Sequence, residues 1–188
     1  MKTQTKIAIL GLISVVSTIG IAAYAADKDT EHRGQFSSKD YKFAAAAAQG
    51  GMMEMRAGEL ARTQGTDPAV KRFGEQMVTD HGKVEEELKA LAAKKGATLP
   101  ATLEPKQERQ LERLRNLSGR DFDKAYADSM VDDHKADLKA FKKAADNAED
   151  TDLRVFASKT STLVASHFEQ AKQMLANLKG ETTTTPSK

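Results

Sequence analysis

The sequence contains no cysteine and no tryptophan, only 4 prolines in 188 residues, and 5% aromatic residues. Without cysteine there are no disulfides, no thiol chemistry and no lipid-modified N-terminal cysteine. A chain with no covalent staples must be held together by a packed core. An excess of one charge is missing as well. The sequence carries 29 Lys and Arg against 27 Asp and Glu, and two of the lysines, Lys2 and Lys6, belong to a separable N-terminal segment. Without that segment the chain is formally neutral. No basic stripe interleaved with aromatics is left, so nucleic acid is not expected as a partner. There is no nucleophile elbow and no phosphate-binding loop, and Ser129 and Ser166, although near histidines in sequence, fall on other helix faces. No motif marks the chain as an enzyme.

Long apolar runs are absent except at the start. Lys2 and Lys6 precede an apolar stretch from Ile7 to Ile21, and Ala23-Tyr24-Ala25 supplies small residues on either side of a cleavage position. The run is too short for a comfortable membrane span. Residues 1–25 therefore read as a signal peptide that is cleaved on secretion across the inner membrane. This puts the mature chain in the periplasm, either free or peripheral to the outer membrane, with no membrane span left. Residues 26–37 and 181–188 are polar and unpatterned, and read as a disordered linker and tail, with His32 in the linker. The remaining 38–180 suit one domain.

What is plentiful is Ala, Leu, Glu and Lys at helical spacing, with no β-type alternation. Ser37 or Ser38 caps a first helix over about 38–65. Asp67-Pro68, a cap followed by proline at the first helical position, opens a second over about 67–96. Leu111, Leu114 and Leu117 mark a short helix between Pro105 and Gly119. Ser118, with Asp121 three residues on, reads as a capping pair for a third long helix over about 119–147, and a fourth covers about 151–179. The short first and third connections make antiparallel hairpins, and the longer middle one can cross the bundle. That pattern predicts an all-α, ferritin-like antiparallel four-helix bundle with a short extra helix in the crossover.

Two five-residue stretches, "MVTDH" at 77–81 and "MVDDH" at 130–134, recur on the second and third long helices. Phe73, Met77, Val78, Asp80, His81 and Leu88 align with Tyr126, Met130, Val131, Asp133, His134 and Phe141 at a constant offset of 53. A duplicated hairpin would instead match the second helix with the fourth, so this repeat is not evidence of duplication. His81, His134 and His167 fall in the apolar stripes of their helices, whereas Asp80 and Asp133 are turned about 100° away, toward the edge or solvent. Glu54 is the one acid on a face of small residues in the first helix, and Glu85, one turn after His81, is a second candidate. All four of Glu54, His81, His134 and His167 lie near mid-helix, so an antiparallel bundle brings them to one level.

Together the stretches "FAAAAAQGGMMEMRAGELA", "DPAVKRFGEQMVTDH", "LSGRDFDKAYADSMVDDH" and "LVASHFEQA" resemble domain-of-unknown-function family 4142, over about residues 40–178. The resemblance implies an exported ferritin-like bundle in the bacterial envelope and assigns no activity. An integral outer-membrane barrel is at odds with the sequence, which has no strand pattern.

The chemistry of the four-residue level has two readings. The residues three before each histidine are Val78, Val131 and Val164, so the Glu-x-x-His pairs of a di-iron centre are missing. Three imidazoles and one carboxylate can instead hold a single Zn²⁺, Mn²⁺ or Fe²⁺. Met77 and Met130, one turn before their histidines, raise copper as a lesser option, against the commoner use of methionine as core filling. In the second reading the buried groups form a hydrogen-bonded network without metal, in a structural or stress-protective envelope protein that associates with a protein partner or with itself. A pH-sensitive loosening through protonation of the imidazoles is a further option.

Overall fold

A computed structural model describes residues 32–180; the expected signal segment, the first part of the expected linker and the 181–188 tail lie outside the described residues. Among the described residues the structure is helical throughout. The elements are α1 (Ser38–Gln64), α2 (Pro68–Lys94), α3 (Pro105–Arg115), α4 (Gly119–Asn147) and α5 (Thr151–Gly180). Each long helix of 27–30 residues is about 40 Å long at 1.5 Å per residue.

The helix starts follow local chemistry. The Asp40 amide donates to Ser37 Oγ at 3.2 Å, and the Ala69 amide to Asp67 Oδ1 at 2.6 Å with Pro68 in the first turn. The capping pair expected at Ser118 and Asp121 is not formed, since Ser118 makes no side-chain cap. The chain enters α4 through Gly119 at φ 60°, a left-handed conformation that glycine adopts without a steric cost. The reciprocal capping box is at α3 instead, where the Glu104 amide donates to Gln107 Oε1 at 2.9 Å.

Helices α1 and α2 form one antiparallel hairpin, α4 and α5 the other, and α1 packs on α4 and α2 on α5. The α3 segment returns along α1 and α4, which makes α2 and α4 parallel and gives the ferritin-like connectivity. Residues 32–37, read from the sequence as linker, pack back on the end of this crossover. Phe36 is buried, the Gln35 amide donates to the Lys95 carbonyl at 2.8 Å, and the Thr98 amide to the His32 carbonyl at 2.7 Å.

A buried aspartate from each hairpin finishes the turn of the other. Asp40, in the first turn of α1, accepts the Glu149 and Asp150 amides from the α4–α5 turn at 2.8–3.1 Å. Asp123, early in α4, accepts the Thr66 and Asp67 amides from the α1–α2 turn at 2.9–3.2 Å, and the Thr66 hydroxyl as well. One spacing of 83 residues separates Asp40 from Asp123, Thr66 from Glu149 and Asp67 from Asp150. Gly65 and Ala148 end α1 and α4 at the same spacing, their amides bonded to the Ala61 and Ala144 carbonyls. The two hairpins are thus related by a pseudo-twofold arrangement that the 53-residue repeat does not reveal. The 53-residue match instead reflects two parallel helices, α2 and α4, carrying histidine at one level.

The core is in two pieces. One apolar cluster gathers Met53, Phe73, Met77, Leu111, Phe122, Tyr126, Met130 and Met174. The other gathers Phe36, Tyr41, Leu88, Phe141, Leu153, Phe156 and Val164. Near the middle of each long helix a buried polar residue falls between members of the two: His81 between Met77 and Leu88, His134 between Met130 and Phe141, His167 between Val164 and Ala171, and Glu54 between Ala48 and Ala57. A polar layer therefore divides an otherwise apolar core.

Candidate metal centre

His81 from α2, His134 from α4 and His167 from α5 come together in that layer. They are 4%, 0% and 0% exposed. Their ring centroids lie 5.4–5.7 Å apart in all three pairings, and one nitrogen of each lies within 4.8 Å of the others. Phe73 closes one side, edge-on to His134 at 6.0 Å and to His167 at 6.3 Å.

Two of the rings have one nitrogen hydrogen-bonded, the third has one nitrogen beside a carboxylate, and each ring has one nitrogen bare. His134 Nδ1 lies 2.9 Å from the Met130 carbonyl. A carbonyl only accepts, so this nitrogen carries the proton and Nε2 presents a lone pair. His167 Nε2 is 3.0 Å from Asp80 Oδ2 in the same sense, which leaves a lone pair on Nδ1. His81 Nδ1 lies 3.1 Å from Glu54 Oε2, at ion-pair distance but off line for a hydrogen bond. The remaining nitrogens, His81 Nε2, His134 Nε2 and His167 Nδ1, are buried with no hydrogen-bond partner.

Burial also fixes the charge state. It holds His81 well below its ordinary value, helped by the neighbouring His134 and His167. His134 is pushed down to about 4 by burial and then by His167, against the bond to the Met130 carbonyl. His167 is lowered by burial despite its Asp80 partner. Neutral imidazoles with available lone pairs are the form that binds metal ions.

Several acids surround the imidazoles. Glu54 is 1% exposed, with Oε2 beside His81 and Oε1 3.4 Å from His134 Nδ1. It thus touches the Nδ1 edges of two rings, whose bare nitrogens are both Nε2. Its carboxyl is raised well above the ordinary range, by burial first and then by the negative charges of Asp137 and Asp133. Asp137, one turn beyond Asp133 on α4, is pushed up to about 7 by burial and by Asp133. Burial also raises Asp133, although the Ser129 hydroxyl and Gln110 Nε2 both donate to it. The Tyr126 phenol is raised too, by burial and then by Glu54, and its hydroxyl has no partner. Glu85 pairs with Lys89 at the surface side of α2 and stays out of the cluster.

Two residues placed at the edge or in solvent by helical geometry turn out to have polar work. Asp80 is at the edge of α2, but it reaches across the interface to α5 and holds His167 rather than acting with His81. Asp133 binds the crossover helix through Gln110 at 2.8 Å. Asp137 was not singled out at all. The available signal was its position three residues after His134, one helical turn along the same face.

A family model described as a domain of unknown function, DUF4142, matches residues 25–174. The chain belongs to the DUF4142 family. No curated protein matches this DUF4142 chain. Among solved structures it is similar to the crystal structure of a DUF305 fragment from Deinococcus radiodurans, with a TM-score of 0.67 at 10% identity, covering 76% of this chain and 98% of that one. The likeness concerns the fold, which both chains reach with few residues in common. No helix among the described residues of this DUF4142 chain is long and apolar enough to cross a membrane.

Proposed function

We propose that the protein is an exported, ferritin-like metal-binding bundle that holds one divalent transition-metal ion through His81, His134 and His167. The observation that carries this reading is the set of three buried imidazole nitrogens that have no hydrogen-bond donor or acceptor facing them. A self-contained hydrogen-bonded network would pair those nitrogens with one another or with Glu54, since an unpaired buried polar atom costs about 1–3 kcal/mol. An ion accepts all three lone pairs at once. The opposite ring edges are held by the Met130 carbonyl and by Asp80, with Glu54 alongside, an outer arrangement that orients metal-binding imidazoles. Glu54, expected as a fourth ligand, acts in this reading on the far edges of His81 and His134, and a fourth coordination position is left for solvent or a small ligand. Zn²⁺, Fe²⁺ or Mn²⁺ suits an imidazole set flanked by carboxylates. Met77 and Met130 belong to the apolar cluster, which favours their role as core filling over copper ligation.

Export, and with it a periplasmic location, rests on Lys2, Lys6, the apolar run and Ala23-Tyr24-Ala25. A storage, buffering or protective role suits a site this enclosed better than turnover of a substrate. The test is elemental analysis of protein isolated from the envelope without chelator or nickel affinity resin. Near-stoichiometric metal, lost in His134→Ala and His167→Ala while helicity is kept, is the expected result. Metal-free protein whose melting temperature does not respond to Zn²⁺, Fe²⁺ or Mn²⁺ would show that the imidazoles serve the bundle alone.

A further inference from the structure

Beside the imidazoles, on the α3 side of the bundle, there is a cavity of about 100 Å³ between α1, α3 and α4. Glu54, Asp133 and Asp137 line it, together with Gln107 and Gln110 from the crossover helix, and no lysine or arginine does. Gly50 borders it on the α1 side, where a Cβ would lie in ordinary contact with the Asp137 carboxylate oxygens at 3.7 and 3.9 Å. Glu54 is the decisive member. It is 1% exposed and lines this cavity; its oxygens lie beside His81 and His134 without forming a hydrogen bond to them, and its carboxyl is close enough to that of Asp137 for the two to share a proton. Three carboxyl groups this close in a buried pocket repel one another when ionised, so they either hold protons or gather around a cation, and a divalent ion displaces those protons.

We propose that this pocket is a second divalent-cation site, built from oxygen ligands and distinct from the imidazole centre, that takes a hard ion such as Mn²⁺, Mg²⁺ or Ca²⁺ from solvent. Carboxylate oxygens with water completing the shell are the ligand set that such ions prefer. The volume holds an ion with about two or three waters, at roughly 30 Å³ each. Gln110 Nε2 donates to Asp133 Oδ2 at 2.8 Å and to Ser129 Oγ at 2.6 Å, so α3 fixes the orientation of one ligand while it roofs the site. The bundle then presents two ion environments separated by Glu54, one lined by imidazole nitrogens and the other by carboxylate oxygens. The site stands on the pocket itself and does not require an ion at the imidazoles.

Mn²⁺ serves as the probe, with loss of the free-ion electron paramagnetic resonance signal measured on the folded wild-type protein, on Asp133→Asn/Asp137→Asn and on His134→Ala/His167→Ala. The Asn pair should bind at least tenfold more weakly at the pocket, or lose one equivalent, while the Ala pair keeps that equivalent. Gln110→Lys, which places an ammonium in the pocket and keeps a donor to Asp133, should reproduce the loss without removing a ligand. Equal Mn²⁺ uptake by the wild type, the Asn pair and Gln110→Lys would overturn the proposal. If the three-imidazole reading alone is wrong, the wild type and the Ala pair bind the same single equivalent and the Asn pair loses it, which still supports the pocket.

Discussion

The two hairpins agree where the fold is secured and disagree where the chemistry is. At a spacing of 83 residues, Asp40 matches Asp123, the Thr66-Asp67 turn matches Glu149-Asp150, Val70 matches Leu153, and Phe73 matches Phe156. Glu54 matches Asp137, so even the acids of the central layer come in a pair. The imidazoles do not: His81, His134 and His167 correspond to Val164, Gly51 and Val84. Packing at those levels can be done by valine or glycine, as the other half of the molecule demonstrates. The three histidines are therefore not demanded by the bundle, and this singles them out more sharply than burial does.

The clamps are the place to break this likeness with the largest effect. Asp123→Ala strands two backbone amides and a hydroxyl in a half-buried turn and should cost about 2–5 kcal/mol in chemical denaturation. Asp40→Ala strands two amides and should cost slightly less, about 2–4 kcal/mol. If one of the two were nearly silent, the halves would not be mechanically equivalent.

A difference in packing comes next. In the first hairpin α1 and α2 approach through glycines, and a Cβ on Gly74 would sit 2.7 Å from both the Gly58 carbonyl and the Ala61 Cβ. Alanine fills the matching place, Ala157, in the second hairpin. Gly74→Ala should therefore destabilise by about 1–3 kcal/mol, although alanine is the better helix former. An unchanged melting temperature would mean that the helices separate at no cost.

The titrating groups sharpen the contrast between acid and imidazole. In metal-free protein, His134 has its ordinary value near 6.5 when unfolded and about 4 when folded. Its contribution is intact above 6.5 and is lost as pH falls through that window, because only the unfolded chain takes up the proton. Asp137 works the other way. Its carboxyl binds a proton near 7 when folded and only near 3.8 when unfolded, so acidification favours the fold. Wild type should consequently show a shallow pH profile between 7 and 5, and not the steep loosening that imidazoles alone would produce. Asp137→Asn removes one part of the opposing gain, the rest being carried by Glu54 and Asp133, and its stability should fall more steeply over the same range, by on the order of 1 kcal/mol relative to wild type in chemical denaturation. Parallel profiles would show that the two groups do not oppose each other. The smallest effect belongs to the ion pair that ties the halves at the surface. Lys159, its side chain 69% exposed, meets Glu87 at 2.6 Å, and Lys159→Ala should change stability by less than about 1 kcal/mol.

Much of the architecture was legible because its signals are local. Asp67-Pro68, the leucines of α3 and the apolar stripes each act within a few residues, and the four mid-helix polar groups could be brought to one level from helix lengths alone. The roles of Asp80, Asp137, Asp40 and Asp123 were not, since each depends on a neighbouring helix. A wheel drawn for α2 places Asp80 100° from His81 and cannot know that this edge faces His167 on α5. Asp40 and Asp123 look like ordinary surface acids until the turns they bind, 109–110 and 56–57 residues away in sequence, are folded against them. The 83-residue likeness was hidden for a related reason. It is carried by single aspartates, small residues and turns, whereas the conspicuous "MVxDH" repeat reports the level of a site and not the relation between halves.

The reciprocal clamps have a consequence for how the molecule comes into being. During synthesis the α1–α2 hairpin is complete long before Asp123 exists, and its turn amides are left to water until α4 arrives. Asp40 waits longer still, until the chain has passed Asp150. Neither half carries the carboxylate that closes its own turn, so each turn is completed only when the other half is in place. Seen that way, the crossover segment with α3 is a tether that joins two mutually dependent hairpins, and it also brings to the bundle the glutamines that face its acids.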